Sequence, residues 1–128
     1  MVANFYRPLS SKERRLARWM LENGNSDAAQ FLIQLDQAEI SPWRCPCGCP
    51  SIAFKIGGMP PAPSKVHVLG DFIIVKGDET AGIFIFESEG ILAGIDVHSS
   101  SGYTPEALPE PEDLMTYEAH GRDVLSKK

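Results

Sequence analysis

The hydrophobic pattern is clearest between residues 71 and 98, where apolar runs alternate with short polar breaks. Runs rich in β-branched and aromatic residues cover 71–76, 81–87 and 91–98, a composition typical of strands. Gly, Asp and Ser clusters separate these runs, and connections this short join neighbouring strands only as antiparallel hairpins. The pattern therefore predicts an antiparallel meander as the scaffold of the fold.

A helix is predicted before the sheet. Ser10 and Glu13 have the spacing of a capping box, in which each residue bonds the backbone N–H of the other. Leu16, Trp19 and Met20 then repeat at helical intervals, so this helix buries one stripe.

A second helix follows after a very short connection. Gly24 is predicted to end the first helix in a left-handed conformation, and Ser26 to cap the second. The helical spacing of apolar residues predicts that the two helices form a hairpin lying on the sheet. The apolar stripe of the second helix is Ala28, Phe31, Leu32 and Leu35.

The whole pattern predicts a single α+β domain. Residues 1–38 form the helical hairpin, residues 39–98 a mostly antiparallel sheet of about five strands, and residues 99–128 an extended tail. Pro111 begins a short helix in that tail, since proline suits a first helical position. Further strands are predicted at 39–44, with Pro42 marking a sheet edge, at 51–56 and at 65–69.

Composition and length agree with a globular protein. The chain has 128 residues, of which 43% are hydrophobic and 23% charged, values typical of one domain with one core. No apolar run approaches the roughly 18 residues of a membrane span, and the N-terminus lacks the apolar segment of a signal peptide. We therefore expect a cytoplasmic protein without a membrane partner.

The net charge of −5 is unevenly spread, with +1 in residues 1–44 and −6 in residues 45–128. A nucleic-acid binder needs clustered positive charge to neutralise phosphates. Arg14, Arg15 and Arg18 are too few for this and are interpreted as a solvated helix face. No nucleic-acid partner is predicted.

Three cysteines crowd into the turn Cys45-Pro-Cys-Gly-Cys49, between two predicted strands. Thiolates and imidazoles are good Zn²⁺ ligands, so the candidate metal ligands are Cys45, Cys47 and Cys49 with His67 or His98. The Cys-x-Cys spacing is tighter than that of structural zinc sites, which leaves two alternatives open. The thiols form a strained redox-active disulfide, or they pack as small apolar groups against the sheet. No cofactor is predicted apart from this candidate zinc.

The last predicted strand contains the one candidate catalytic site. Alternation places Leu92, Asp96 and His98 on the same face, with serines 99–101 just beyond. A hydrolase built on them is the weakest hypothesis, because parallel side chains on one strand rarely converge on a third group. The chain also lacks a nucleophile elbow, a phosphate-binding glycine loop and a His-Glu-x-x-His motif. We predict no catalytic residues and a protein that is not an enzyme.

Two further stretches bear on partners. Residues 57–64, Gly-Gly-Met-Pro-Pro-Ala-Pro-Ser, are interpreted as a surface loop; the alternative is a polyproline II segment that attracts a groove-type partner.

Residues 83–86 are apolar at every position, as in a strand covered on both faces. The helices would cover one face, and a dimer partner or the C-terminal tail the other.

Four short motifs are spread along the chain: Tyr6-Arg-Pro-Leu-Ser10, Cys47-Gly-Cys-Pro-Ser51, Gly94-Ile-Asp-Val-His-Ser99 and Leu108-Pro-Glu-Pro-Glu-Asp-Leu114. Together they resemble a family of small bacterial proteins known only as a domain of unknown function. The last strand of that family more often reads Leu-Glu-Val-Tyr-Ser, so a family-wide role for His98 is not expected. The resemblance brings no activity. Similar small acidic bacterial proteins look like partners of polymorphic toxins, which implies an immunity or binding role by analogy.

These observations predict a non-enzymatic protein-binding module of immunity type or regulatory type. It would act through its acidic C-terminal third or an exposed sheet face, on a protein partner or on a second copy of itself. The alternative is a small zinc-binding protein that uses the Cys45/Cys47/Cys49 turn.

Overall fold

The computed structural model describes residues 6–43, 46, 48–99 and 102–116. Within them the fold is α+β: a seven-stranded antiparallel sheet carries the helices on one face, in the order β1-β2-β3-β6-β5-β4-β7. The elements are β1 Arg7–Pro8, α1 Ser11–Glu22, a 3₁₀ helix Ala28–Phe31, α2 Leu32–Leu35, β2 Ala38–Ile40, β3 Ile52–Ile56, β4 His67–Lys76, β5 Glu79–Ser88, β6 Ile91–Ser99, a 3₁₀ turn Pro111–Asp113 and β7 Leu114–Thr116.

The predicted meander is confirmed as the central part of the sheet, where β4, β5 and β6 are antiparallel neighbours. The two strands predicted at 65–69 and 71–76 are one strand, which accommodates the bend by a register shift between Val68 and Gly70. The sheet has more strands than predicted because β1 and β7 are two and three residues long. Segments this short show no alternation that a sequence pattern can detect.

The strand predicted at 39–44 is shorter and more central than expected. It ends at Ile40, and Ser41 N–H donates one more bond to Ala53 O at 2.8 Å before Pro42 interrupts the pairing. The edge position predicted for this strand is wrong, because β1 pairs outside it. Pro8 occupies that edge instead, where its missing N–H costs no ladder bond.

The capping box of α1 is confirmed. Ser10 Oγ accepts from Glu13 N–H at 3.1 Å, and Ser10 N–H donates to Glu13 Oε1 at 2.8 Å. The Arg7 guanidinium donates two hydrogen bonds to the same carboxylate in a bidentate arrangement, at 2.8 and 2.7 Å. These hydrogen bonds, of which the bond from Arg7 is the strongest cause, hold the pKa of Glu13 below its ordinary value although partial burial opposes them. Glu13 thus joins β1 to the start of α1.

We expect Glu13→Gln to lower the free energy of unfolding by about 0.5 to 1 kcal/mol at neutral pH. Glutamine can keep the bond from Ser10 N–H but loses its charge toward Arg7, which is half exposed and therefore partly screened. Because the folded-state pKa of Glu13 is lowered, its contribution is present above the unfolded-state pKa and is lost as pH falls through the folded-state value.

Urea unfolding of both proteins at neutral pH and in acid tests this. The stability difference should be largest at neutral pH and should shrink in acid. Glu22→Gln at the other end of α1 is the control, since Glu22 contacts Arg18 only at 4.0 Å with both side chains exposed. A difference that stays constant with pH would contradict the assignment.

The predicted role of Gly24 is wrong. Its φ lies outside the left-handed region, and the position needs glycine for a different reason. A Cβ on Gly24 would lie 2.3 Å from the backbone oxygen of Leu69 on β4. The missing side chain therefore lets the end of α1 approach the sheet.

The second helical segment begins without the predicted Ser26 cap. Asn25 organises the turn instead: its Oδ1 accepts from Asp27 N–H at 2.9 Å, and its own N–H and Nδ2 donate to the carbonyls of Leu69 and Val68 at 2.7 and 3.0 Å. Asn25 thus covers the part of β4 that β7 leaves unpaired. None of the described helices has the length and apolar character needed to cross a bilayer.

The core lies between the helical segments and the sheet. Leu16, Ala17, Met20 and Leu21 of α1 are fully buried against it. The C-terminal tail packs beside α1, because Leu108 and Leu114 belong to the same buried cluster and Arg15 forms ion pairs with Glu110 and Glu112. The described part of the tail, residues 102–116, therefore packs beside α1 and does not cover the second face of the sheet, for which the tail was one of the two predicted covers.

That second face, opposite α1, is called the outer face below. It carries Phe84, Phe86, Asp96 and His98, none of which belongs to the buried cluster. Leu92, which alternation placed with Asp96, faces the core and is fully buried. The reason is a register shift where β5 meets β6, between Phe86 and Glu87, since an extra residue in one strand reverses which face the following side chains occupy.

Candidate functional site

The structure places the candidate metal ligands in different parts of the fold. Cys45 and Cys47 lie outside the described residues. Cys49 is buried and contacts Ser51 Oγ. His67 is exposed at the start of β4 and bonds the Glu87 carboxylate.

His98 lies near the opposite end of β5 from His67. Its ring sits over Gly82, where an added Cβ would be 2.1 Å from the ring. His67 pairs in register with Glu87 and His98 with Gly82, and five positions along a strand span roughly 16 Å. A single ion therefore cannot bind both histidines.

No group of three or more His, Cys, Asp or Glu residues is placed to hold a metal ion within the described part of the chain. The zinc hypothesis depends on Cys45 and Cys47, so it stays a prediction. Among the two histidines, His98 follows Val97, whose N–H bonds Ser51 beside Cys49. His98 is thus the histidine at the same end of the sheet as Cys49.

A groove with a volume of about 600 Å³ lies on the outer face. We call it the outer groove. Strands β3 and β6 form its floor, through Ala53, Ala93 and Phe86 of the neighbouring β5, and the loop 57–66 forms one wall. The loop predicted as a surface connection thus partly covers the outer face.

The rim of the outer groove concentrates exposed hydrophobic side chains. Tyr6 before β1, Trp43 after β2 and Val66 before β4 line it, with 44%, 48% and 57% of their surfaces exposed. The remaining large exposed hydrophobic residue among those described is Ile33, 78% exposed on α2. Single exposed apolar residues are ordinary, whereas a cluster of them around an apolar groove marks a binding surface.

Lys55 holds the wall of the groove in place. Its Nζ donates to the backbone oxygens of Ile56 at 3.1 Å and of Met59, so the charged end bridges β3 to the start of the loop. Lys65 at the other end of the loop pairs with Glu89 at 3.6 Å. The cationic groups that line the groove are therefore engaged by the protein itself.

Ser51 organises a polar corner at one end of the groove. Its Oγ accepts from Val97 N–H at 2.9 Å and donates to Asp96 Oδ1 at 3.1 Å. Cys49 Sγ lies 3.1 Å from the same Oγ. Because the hydroxyl has one proton and an ionised carboxylate only accepts, the Cys49 thiol is the donor to Ser51.

Asp96 and His98, the two residues of the weakest hypothesis, have different neighbours in the structure. Asp96 bonds Ser51, whereas the His98 ring packs beside Phe84 with 5.9 Å between centroids. Ser99 Oγ accepts from Gly102 N–H, and serines 100 and 101 lie outside the described residues.

Sequence reasoning missed the outer groove and the role of Ser51. Ser51 and Asp96 are 45 positions apart and meet only because β3 pairs with β6. The sequence offered only two separate aromatic residues, Tyr6 and Trp43, whose positions follow no periodicity.

No protein-family model matches the chain, and neither the curated proteins nor the solved structures contain a significant match. The family resemblance stays a prediction.

Proposed function

We propose that the protein is a non-enzymatic binding module that holds an apolar segment of a partner protein in the outer groove. The observation that carries this proposal is the concentration of exposed Tyr6, Trp43 and Val66 around one apolar groove. Tyrosine and tryptophan are enriched at protein interfaces because they bury a large rigid surface with few rotatable bonds. An immunity-type or regulatory role fits a module of this kind.

The shape of the groove and the net charge of the protein favour an extended, basic segment as the occupant. The groove runs between two strands and a loop that contains Pro61 and Pro63, and prolines restrict the motion of that wall. Three residues at the rim can anchor alternate side chains of an extended chain. The protein carries a net charge of −5, which favours association with a basic partner.

Selection from a phage-displayed library of random linear peptides tests the proposal. We expect enriched peptides to carry an aromatic or branched aliphatic anchor. Trp43→Ala should weaken the binding of a synthetic enriched peptide about tenfold, as truncation of a central aromatic contact does. Fluorescence anisotropy of the labelled peptide measures the affinity.

Ile33→Ala is the matched control, because Ile33 is the exposed hydrophobic residue that lies outside the groove. This variant should bind the peptide as the wild type does. The proposal fails when no peptide is enriched over bare support, or when Trp43→Ala and Ile33→Ala bind the peptide equally well.

Native mass spectrometry of untagged protein tests self-association and zinc binding in one spectrum. A dimer that Trp43→Ala dissolves would replace the peptide by a second copy as the occupant. Stoichiometric zinc would instead support the alternative function at the cysteine turn.

A further inference from the structure

We propose that the Asp96 carboxylate is the binding point for a guanidinium or ammonium group of the partner segment, beside the apolar anchor. This inference rests on the proposed function and narrows it, since it names the chemistry that the groove selects. The partner would present a basic residue next to an aromatic or aliphatic one.

Among the described residues, Asp96 is the acidic group that lines the outer groove. It lies on β6 and is half-buried, directly opposite Phe84 of β5 in the strand register. Its Oδ1 accepts from Ser51 Oγ at 3.1 Å. A carboxylate has about four acceptor positions, so Asp96 retains acceptor capacity toward the groove.

The two described cations that line the groove do not neutralise this carboxylate. Lys55 donates to the backbone oxygens of the loop, and Lys65 pairs with Glu89. No ion pair joins Asp96 to any residue in the described part of the chain. A charge held on a half-buried apolar surface gains most from a cation that a ligand supplies.

Two aromatic rings of the neighbouring strand lie beside the same position. Phe84 and Phe86 lie next to each other with centroids 5.5 Å apart, and directly opposed side chains on paired strands are about 5 Å apart. A cation bound to Asp96 therefore comes within reach of the Phe84 ring. Aromatic rings attract guanidinium and ammonium groups at such distances, and the planar guanidinium also stacks on them.

Ser51 fixes the carboxylate in this position and acts as a positioning residue. Its hydroxyl is itself held by Val97 N–H at 2.9 Å, so the bond to Asp96 has a defined direction. The Asp96 side chain is thereby oriented before any ligand arrives, which reduces the entropy lost on binding.

The test compares two synthetic peptides on the wild-type protein: an enriched library peptide that contains arginine, and the same peptide with citrulline in its place. Citrulline keeps the size of the side chain and removes its charge. We expect citrulline to weaken binding about tenfold, and Asp96→Asn to remove the difference between the two peptides, as in a double-mutant cycle.

Asp78→Asn is the matched control, since it removes the same unit of charge in the exposed turn between β4 and β5. It should leave the preference for arginine unchanged. If Asp78→Asn and Asp96→Asn reduce binding equally, general electrostatic attraction replaces the specific site and the inference is overturned.

Two outcomes separate this inference from the function beneath it. Enrichment of neutral peptides that Trp43→Ala releases would uphold the groove and refute the Asp96 site. Absence of any enriched peptide would refute both. The citrulline comparison needs no protein variant, so the inference stays falsifiable even where Asp96→Asn does not fold.

Discussion

Replacing Phe72 with alanine is expected to lower the free energy of unfolding by about 3 to 5 kcal/mol. Phe72 is 1% exposed in the middle of β4 and is the largest fully buried side chain among the described residues. Its ring packs against Trp19 of α1 with 5.0 Å between centroids. Loss of the ring thus removes an aromatic contact between the first helix and the sheet.

The cavity left by Phe72→Ala has little means of collapsing. The ring lies over Gly70, where an added Cβ would be 2.9 Å from Phe72 Cε2, so this neighbour has no side chain to move in. The energetic cost of truncation rises with the cavity that remains, which places this site toward the upper part of the range.

Urea unfolding followed by tryptophan fluorescence measures the effect of Phe72→Ala, and Trp19 reports directly on the contact. Phe84→Ala is the control, because it makes the same chemical change at a half-buried position on the outer face. It should cost less than half as much, since less apolar surface returns to water. Equal losses would show that the helix face is not the main source of stability.

The parts of the fold that the sequence predicts correctly depend on local chemistry. The capping box joins Ser10 and Glu13, which are three positions apart. The β4-β5-β6 meander needs only short turns between apolar runs. Each of these features depends on a few consecutive residues, so the sequence pattern predicts it.

The errors arise where tertiary contact decides the conformation. Gly24 has the sequence of a helix terminator, yet its place is set by Leu69 some 45 positions later. Strict alternation places Leu92 on the same face as Asp96, but the register shift beside Phe86 turns the Leu92 side chain to the opposite face. β1 and β7 exist because they pair with β2 and β4, not because two or three residues prefer a strand.

The candidate site belongs to this second kind of feature. The sequence draws attention to the cysteine turn and to Asp96 with His98, because such residues carry chemistry wherever they occur. The structure connects Asp96 to Ser51 and sets both at the end of an apolar groove. That juxtaposition follows from the non-local pairing of β3 with β6, which no local pattern encodes.

Gly94→Ala is expected to lower the free energy of unfolding by about 1 to 2 kcal/mol, because two opposing effects do not balance. Alanine restricts the unfolded chain and by itself would stabilise the strand by about 0.5 to 1 kcal/mol. Its Cβ, however, would lie 2.5 Å from Ile52 O and 3.3 Å from Phe86 Cζ. Overpacking of this kind typically costs about 1 to 3 kcal/mol, and β6 has strands on both sides, so it cannot move away.

Thermal and urea unfolding measure this loss, with Gly57→Ala as the control. A Cβ on Gly57 would meet Gln37 O at 3.4 Å, an ordinary contact, so that variant should keep the stability of the wild type. Unchanged stability of Gly94→Ala would mean that β3 and β6 separate easily.

The same substitution links the packing of the sheet to the outer groove. Ile52 follows Ser51, and Phe86 forms part of the groove floor, so the strand displacement that relieves the clash also moves the serine that orients Asp96. Gly94→Ala should therefore weaken binding of the arginine peptide more than that of its citrulline form. A loss of stability without any change in this preference would show that Asp96 adjusts independently of the strand spacing.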